Sequence, residues 1–403
     1  MRILMLTHRL PFPPNKGERL RAYHMIREMA RWAEVDLVSF VDNAEEAACA
    51  SHLADCVQHR MTIERPHLRN LMRGAAALAT TTPLTHVLLD APGARHAIGR
   101  LVAERRPDVV FAFCSGMARF AVEPPLRGLP LVVDMVDVDS KKWAGFARAS
   151  RPPLSWIYRR EALYLARFEA SLAGAASSIL VVNAREKAAM LDLAPHAPVI
   201  VVPIGGNVEA WRPVERPAPS ARVVFCGVMD YAPNADAAAW LVREVWPRVR
   251  ASRPDASLQL VGSNPTSAVR ALADQARGIT VTGTVPDVRP YVWGSAVAVA
   301  PLLLARGVQT KALEAVAGGI PCVVTPAVAE GLPAEILPAC PVAASPDAFA
   351  DAILRVLALD PAARRRMAGT ADVPGLDWPH RLAPLRAIFE DAAGSAQTRM
   401  VAA

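Results

Sequence analysis

The sequence predicts an α/β protein of two domains, each built on a parallel sheet. At 403 residues the chain is too long for one ordinary hydrophobic core, and its 52% of hydrophobic residues is enough for two. Short, near-continuous apolar runs alternate with longer helical patterns, as in parallel strands buried on both faces. The alternation occurs twice, and the proline-rich stretch WRPVERPAPSAR (211–222) separates the two halves as a stiff, exposed connection.

In the first half, the runs at 2–7, 35–41, 108–114, 131–136 and 178–182 read as strands. In the second, those at 222–227, 257–261, 279–281, 296–301 and 321–325 do. Residues 234–250 read as one helix. The domains are therefore set at 1–205 and 221–375, with a hinge at 206–220. The last stretch, 376–403, reads as a helix with a frayed tail, expected to pack back on the first domain.

Composition excludes several classes. No window of about 18 apolar residues is free of charge, so no membrane-spanning helix is expected. MRILMLTHRLPFPP lacks the long apolar core and small-residue cleavage site of a secretory leader. Cysteines 49, 56, 114, 226, 322 and 340 are scattered without a C-x-x-C pair, which reads as reduced thiols in the cytoplasm. The net charge of +7 is uneven: residues 1–200 carry 26 basic and 20 acidic residues, the remainder 19 and 18. No aromatic or zinc signature points to nucleic acid. A basic face near anionic lipid fits the excess, with 68–78 and 155–168 both basic and partly apolar; solvated surface charge fits it equally.

In open α/β sheets, ligands sit beyond the carboxyl ends of the strands, so residues that follow strands are the functional candidates. After the first strand, a proline-stiffened loop ends in Lys16-Gly17 and enters a helix whose free N–H groups suit an anion. The G-x-G-x-x-G dinucleotide fingerprint is absent. At 131–143, LVVDMVDVDSKKW crowds Asp134, Asp137 and Asp139 at a strand end. They fit contacts to substrate hydroxyls or a turn with capping side chains; Asp137-Val-Asp139 also formally matches a metal-binding D-x-D. Gly227 ends a strand of the second half, and Asn234 is placed as the N-cap of the next helix.

The stretch ARGVQTKALEAVAGGIPCVVT (305–325) is the most informative. Ala-Leu-Glu-Ala-Val-Ala is strong helix former, Gly318-Gly319 stops it, and Thr310 is placed to cap it. Glu314 and Lys311 share a helix face, which alone reads as an i,i+3 ion pair. That leaves the Arg306-Gly307 loop unexplained. A bound diphosphate explains both: helix N–H groups, Lys311 and Arg306 meet its charge, while Glu314 accepts hydrogen bonds from ribose hydroxyls.

The pattern Gly307-x-x-x-Lys311-x-x-Glu314-Ala315-x-Ala317-x-Gly319-x-Pro321-x-Val323-x-Thr325 resembles the donor-site motif of GT-B glycosyltransferases of the family-4-like retaining group. THRLPFPPNKGERLRAYH, DMVDVDSKKW, FCGVMDYAPNADA, VPDVRPY and ARGVQTKALEA, in that order, resemble the sugar transferases of bacterial exosortase (PEP-CTERM) and exopolysaccharide loci. The resemblance implies a GT-B fold of two Rossmann-like domains, the nucleotide-diphosphate sugar on the C-terminal one and a glycan or polyprenyl-linked acceptor on the N-terminal one. It implies Glu314 at the ribose, Thr310 and Lys311 near the diphosphate with Gly227 and Gly307, and Gly17 near it from the other domain. Catalytic candidates are then Asp137, Arg306 and Lys311; acceptor-side candidates are Lys16, Asp134 and Asp139. No cofactor or metal is expected, and peripheral membrane contact is. The chain departs from the pattern in three places. Arg306 stands where many relatives have Glu, no Arg or Lys occurs from Val228 to Asn234, and Asp137 stands about where many relatives have His. An epimerase of the same architecture and a two-lobed sugar-binding protein are the rival readings.

Overall fold

Two parallel sheets organise the chain. The structure is a computed structural model and describes residues 1–14, 17–212, 221–275, 278–305, 308–371 and 373–401. Two units emerge: Met1–Pro203 with Arg381–Ala403, and Ile204–His380.

The first unit holds seven parallel strands: β1 (Arg2–Thr7), β2 (Glu34–Val41), β3 (His59–Glu64), β4 (Val109–Phe113), β5 (Leu131–Val136), β6 (Ser178–Val181) and β7 (Val199–Val201). Their order is β3-β2-β1-β4-β5-β6-β7. In register, Met5 lies opposite Leu37 on one side and Phe111 on the other. The apolar runs sit in the middle of the sheet because both of their faces are covered: Ile3, Met5, Leu6, Phe40 and Phe111 are all 0% exposed. Strands β3 and β7 were not legible as strands. HRMTIE is a partly exposed edge strand without a long apolar run, and β7 has only three residues.

Helices α1 (Gly17–Met29), α2 (His67–Ala77), α3 (Ser115–Ala121), α4 (Asp139–Ala149) and α5 (Leu154–Ser171) belong to this unit. Trp143 and Phe146 of α4 pack on Tyr158 of α5, ring centroids 5.2 and 6.1 Å apart. The C-terminal helix Leu385–Val401 also belongs here. Its fully buried Phe389 meets Phe111 of β4 at 5.3 Å and Trp32 at 5.9 Å. Burying one such ring contributes about 1.5–3 kcal/mol, which anchors the helix.

The second unit holds five parallel strands: β8 (Arg222–Cys226), β9 (Ser257–Val261), β10 (Ile279–Val281), β11 (Val297–Ala300) and β12 (Cys322–Val324), in the order β10-β9-β8-β11-β12. Helix α6 (Ala232–Trp240) follows β8, and helix α7 (Thr310–Ala317) precedes β12. The single helix expected over 234–250 is instead interrupted. Leu241–Val245 widens into a π turn before the chain resumes at Trp246–Ser252. Pro247 is the physical cause, since it lacks an N–H and its ring crowds the carbonyl one turn earlier.

The hinge expected at 206–220 lies largely outside the described residues. Its first part is no free linker. Gly206 donates to the Leu376 carbonyl at 2.7 Å, Trp293 to the Trp211 carbonyl at 2.8 Å, and Trp211 is buried. A Cβ on Gly205 would come within 2.7 Å of Trp378, so only glycine permits that approach.

Candidate active site

The strand orders locate a crevice in each sheet. Connections leave β1 and β4 in opposite directions in the first unit, and β8 and β11 in the second. Such a switch point opens a crevice at the carboxyl ends of the two strands.

In the second unit that place is built around Lys311. Its Nζ donates to Asn234 Oδ1 at 2.8 Å and stands 4.9 Å from the Phe225 ring centroid. Asn234 Nδ2 in turn donates to the Val228 carbonyl at 2.9 Å. Asn234 is therefore not the helix cap the sequence suggested. It lies inside the first turn of α6, whose N-cap is Tyr231, and spends its side chain holding Lys311 against the end of β8. Thr310 is likewise the first residue of α7 rather than its cap, which is Gln309. Burial pulls the Lys311 amine down to about 8, against the raising effect of Cys226, Cys322 and Glu314.

Glu314 sits one turn further along α7. Among the described residues it makes no ion pair, so the simple i,i+3 pairing with Lys311 is not formed. Burial raises its carboxyl to about 7 against the lowering effect of Lys311. The pair is thus a cation fixed by a neutral amide and, one turn on, a half-buried carboxyl that makes no ion pair among the described residues.

Glycines make the room. A Cβ on Gly227 would come within 2.9 Å of the Asn234 amide, and one on Gly262, at φ 151°, within 1.7 Å of the Gly227 carbonyl oxygen. The β8 and β9 ends can approach only because both are glycine. Arg306, Gly307 and Lys16 lie outside the described residues. Gly17 is exposed at the first residue of α1, with nothing near its missing Cβ.

In the first unit the three aspartates part company. Asp134, expected to face an acceptor, is 0% exposed. Arg21 Nε donates to its Oδ2 at 2.7 Å and the Val136 N–H to its Oδ1 at 3.0 Å, while Arg21 also reaches the Val202 and Pro203 carbonyls. Both partners are fully buried. Asp134 is a structural ion pair tying β5 to the end of β7, and no oxygen of it is left for substrate. Asp139 opens α4, pairs with Lys142 and accepts from Ser115 Oγ at 3.4 Å.

Asp137 keeps the character of a site residue. It follows Val136, a branched residue held at φ 61°, and its Oδ1 is buried without a hydrogen-bond partner among the described residues. Burial and the neighbouring Glu186 raise its carboxyl to about 7, against Lys142. A strained strand end with a perturbed acid is a functional candidate on physical grounds. Sequence reasoning missed the pair His8 and Cys114, which directly follow β1 and β4. The signal available was that each directly follows an apolar run. Among the described residues, no group of three His, Cys, Asp or Glu is placed to hold a metal ion.

Residues 220–359, most of the second unit and about a third of the chain, match the family of glycosyl transferases group 1. The chain is a glycosyltransferase. Solved structures agree on its architecture. It is similar to the sucrose-phosphate synthase of Thermosynechococcus elongatus, with TM-score 0.69, 17% identity and 100% of both chains covered. It is also similar to α,α-trehalose 6-phosphate synthase of Burkholderia multivorans, with TM-score 0.66, 14% identity, and 99% and 98% covered. A third similar structure is Anabaena HepE in complex with UDP, with TM-score 0.63, 14% identity and 100% of both chains covered. No curated protein sequence matches. At such identities the likenesses establish the fold, and this glycosyltransferase has the GT-B architecture of two parallel-sheet α/β domains.

Proposed function

We propose that this glycosyltransferase moves a sugar, with retention of configuration, from a nucleotide-diphosphate donor held by the second unit to a glycan or lipid-linked acceptor served by the first, in bacterial exopolysaccharide or surface-glycan synthesis. The observation that carries the donor half is the Lys311–Glu314 face. A preset ammonium suits a diphosphate, and a carboxylate that makes no ion pair among the described residues suits a ribose diol. The resemblance of HepE, solved with UDP and with UDP-glucose, supports a nucleotide sugar of that kind. The donor's anomeric C–O bond breaks, the acceptor oxygen bonds to the same carbon, and the departing diphosphate takes its charge to Lys311, to Arg306 and to the N–H groups that open α7. Asp137, near neutrality in its proton affinity, is the acid–base candidate on the acceptor side. These cations do the work for which other folds use a divalent metal.

Calorimetric titration of UDP into the wild type and Glu314→Gln tests the donor site. Losing a charge-assisted bond of roughly 1.5–3 kcal/mol should weaken binding about tenfold to a hundredfold. Equal affinity in both proteins would place the donor elsewhere. The anomeric configuration of the product, read by NMR, tests retention.

Peripheral contact with an anionic membrane is part of the same proposal. Among the described residues no helix is long and apolar enough to cross a membrane. Apart from Met1, every exposed large hydrophobic residue described in the first unit falls within 68–88 or 154–163; Leu68, Met72 and Trp156 are 74, 65 and 63% exposed. Arg159 and Arg167 share the α5 face with Trp156 and Leu163. Basic residues at an anionic surface contribute about 1 kcal/mol each. Co-sedimentation with phosphatidylglycerol vesicles should be strong at low salt, and recovery in the supernatant with and without vesicles would refute it.

A further inference from the structure

We propose that Cys114, His8 and Glu18 form an activated-thiol site at the switch point of the first sheet, where the Cys114 sulfur is a nucleophile that small-molecule disulfides modify, closing the crevice beyond β1 and β4.

The three groups come from three elements. His8 follows β1, Cys114 follows β4, and Glu18 lies in the first turn of α1. Cys114 Sγ is 3.3 Å from His8 Nδ1, and His8 Nε2 is 3.4 Å from Glu18 Oε2. A sulfur, an imidazole and a carboxylate in line are the arrangement of an activated nucleophile: the base takes the proton and the acid orients the base. Arg9 holds the other Glu18 oxygen at 3.0 Å, which fixes the carboxylate.

The backbone supports the same reading. Cys114 is held at φ 77°, a left-handed conformation that a cysteine adopts only under constraint, in the turn between β4 and α3. A nucleophile on a strained strand-to-helix turn projects from the sheet end toward the crevice. Cys114 is partly exposed, so a reagent can reach it.

Electrostatics around the sulfur is positive. Burial alone would lower His8, but Cys114 and Glu18 outweigh it and raise the imidazole to about 10. Arg119 of α3 acts on the same sulfur. His86, near Gly116, is held neutral, lowered to about 3 by burial and Arg119. Burial pushes the thiols of Cys56, Cys226, Cys322 and Cys340 up, the opposite direction from activation. Cys49 Sγ donates to the Glu45 carbonyl at 3.4 Å.

The chemistry is thiol–disulfide exchange. The Cys114 sulfur attacks one sulfur of the reagent, a new S–S bond forms, the old one breaks, and the departing thiolate takes a proton from His8 or water. A free thiol reverses it.

The full-length protein is treated with iodoacetamide from pH 5 to 9, and modification of each cysteine is followed by peptide mass spectrometry. Cys114 should react at least tenfold faster than Cys49 at pH 6, with a rate that stays level as the pH falls from 8 to 6. His8→Gln should restore the steep fall of an ordinary thiol over that range. A wild-type Cys114 rate that falls about tenfold per pH unit below 8 overturns the proposal without reference to any variant, as does a Cys114 no faster than Cys49. Oxidised glutathione should then load Cys114 and suppress UDP-sugar-dependent transfer, restored by dithiothreitol. Full loading with unchanged transfer would overturn the closing of the crevice.

Discussion

Replacing Lys311 by methionine separates a functional amine from a structural one. In the folded protein the amine is pulled from 10.5 to about 8, chiefly by burial. At 1.36 kcal/mol per unit, that is on the order of 3 kcal/mol by which the fold disfavours the charged form. Methionine removes this cost and keeps an unbranched apolar stem beside Phe225, whose ring centroid lies 4.9 Å from the Lys311 Nζ. It also leaves Asn234 Oδ1, which accepts the Lys311 bond, without its donor, at about 1–2 kcal/mol. The free protein should therefore be more stable by about 1 kcal/mol, a rise of about 2–4 °C in melting temperature for a unit of this size. Ligand response should move the opposite way. UDP at a hundred times its dissociation constant adds about 2.7 kcal/mol to the wild type, and most of that should vanish in Lys311→Met. A lowered amine also fixes the pH dependence. Between about 8 and 10.5 the unfolded chain holds more protons at this site, so wild-type stability gains a contribution as the pH rises through that window, and the variant should lose it. Differential scanning fluorimetry with and without UDP reads all three. A variant less stable than wild type that keeps the full UDP shift would refute the reasoning, because Lys311 would then be holding the fold rather than a ligand.

Gly227→Ala should act on the donor at one remove: its Cβ would collide with the Asn234 amide at 2.9 Å, so Lys311 loses its anchor, and UDP affinity should fall several-fold in calorimetry with little change in affinity for uridine. Asp134→Ala strands the fully buried Arg21 and should cost about 3–5 kcal/mol in urea unfolding, a larger effect than any site variant, since the pair is structural. Transfer should persist in excess EDTA; complete loss restored by manganese would instead give Asp137 and Asp139 a metal to hold.

The parallel-sheet architecture was legible because burial on both faces writes itself locally, as runs such as RILMLT and LVVDMV. Fold class follows from periodicity, which needs no knowledge of partners. The Lys311–Glu314 face was legible for the same reason, as two residues three apart on one strong helix former. What local pattern does not contain is which distant group a polar side chain meets. Asp134, Asp137 and Asp139 look alike in DMVDVD. Only the crossing of α1 over the end of β5 puts Arg21, 113 residues away, against the first and leaves the second with an unpartnered oxygen. Asn234 reads as a cap until the return of the chain brings Lys311, 77 residues later, within 2.8 Å. His8 and Cys114, 106 residues apart, become a pair only because β1 and β4 are neighbours in the sheet. Side-chain identity and spacing thus determined most of the elements and the helix that carries Lys311 and Glu314. The strand order decided which charges are neutralised inside the protein and which remain for a ligand.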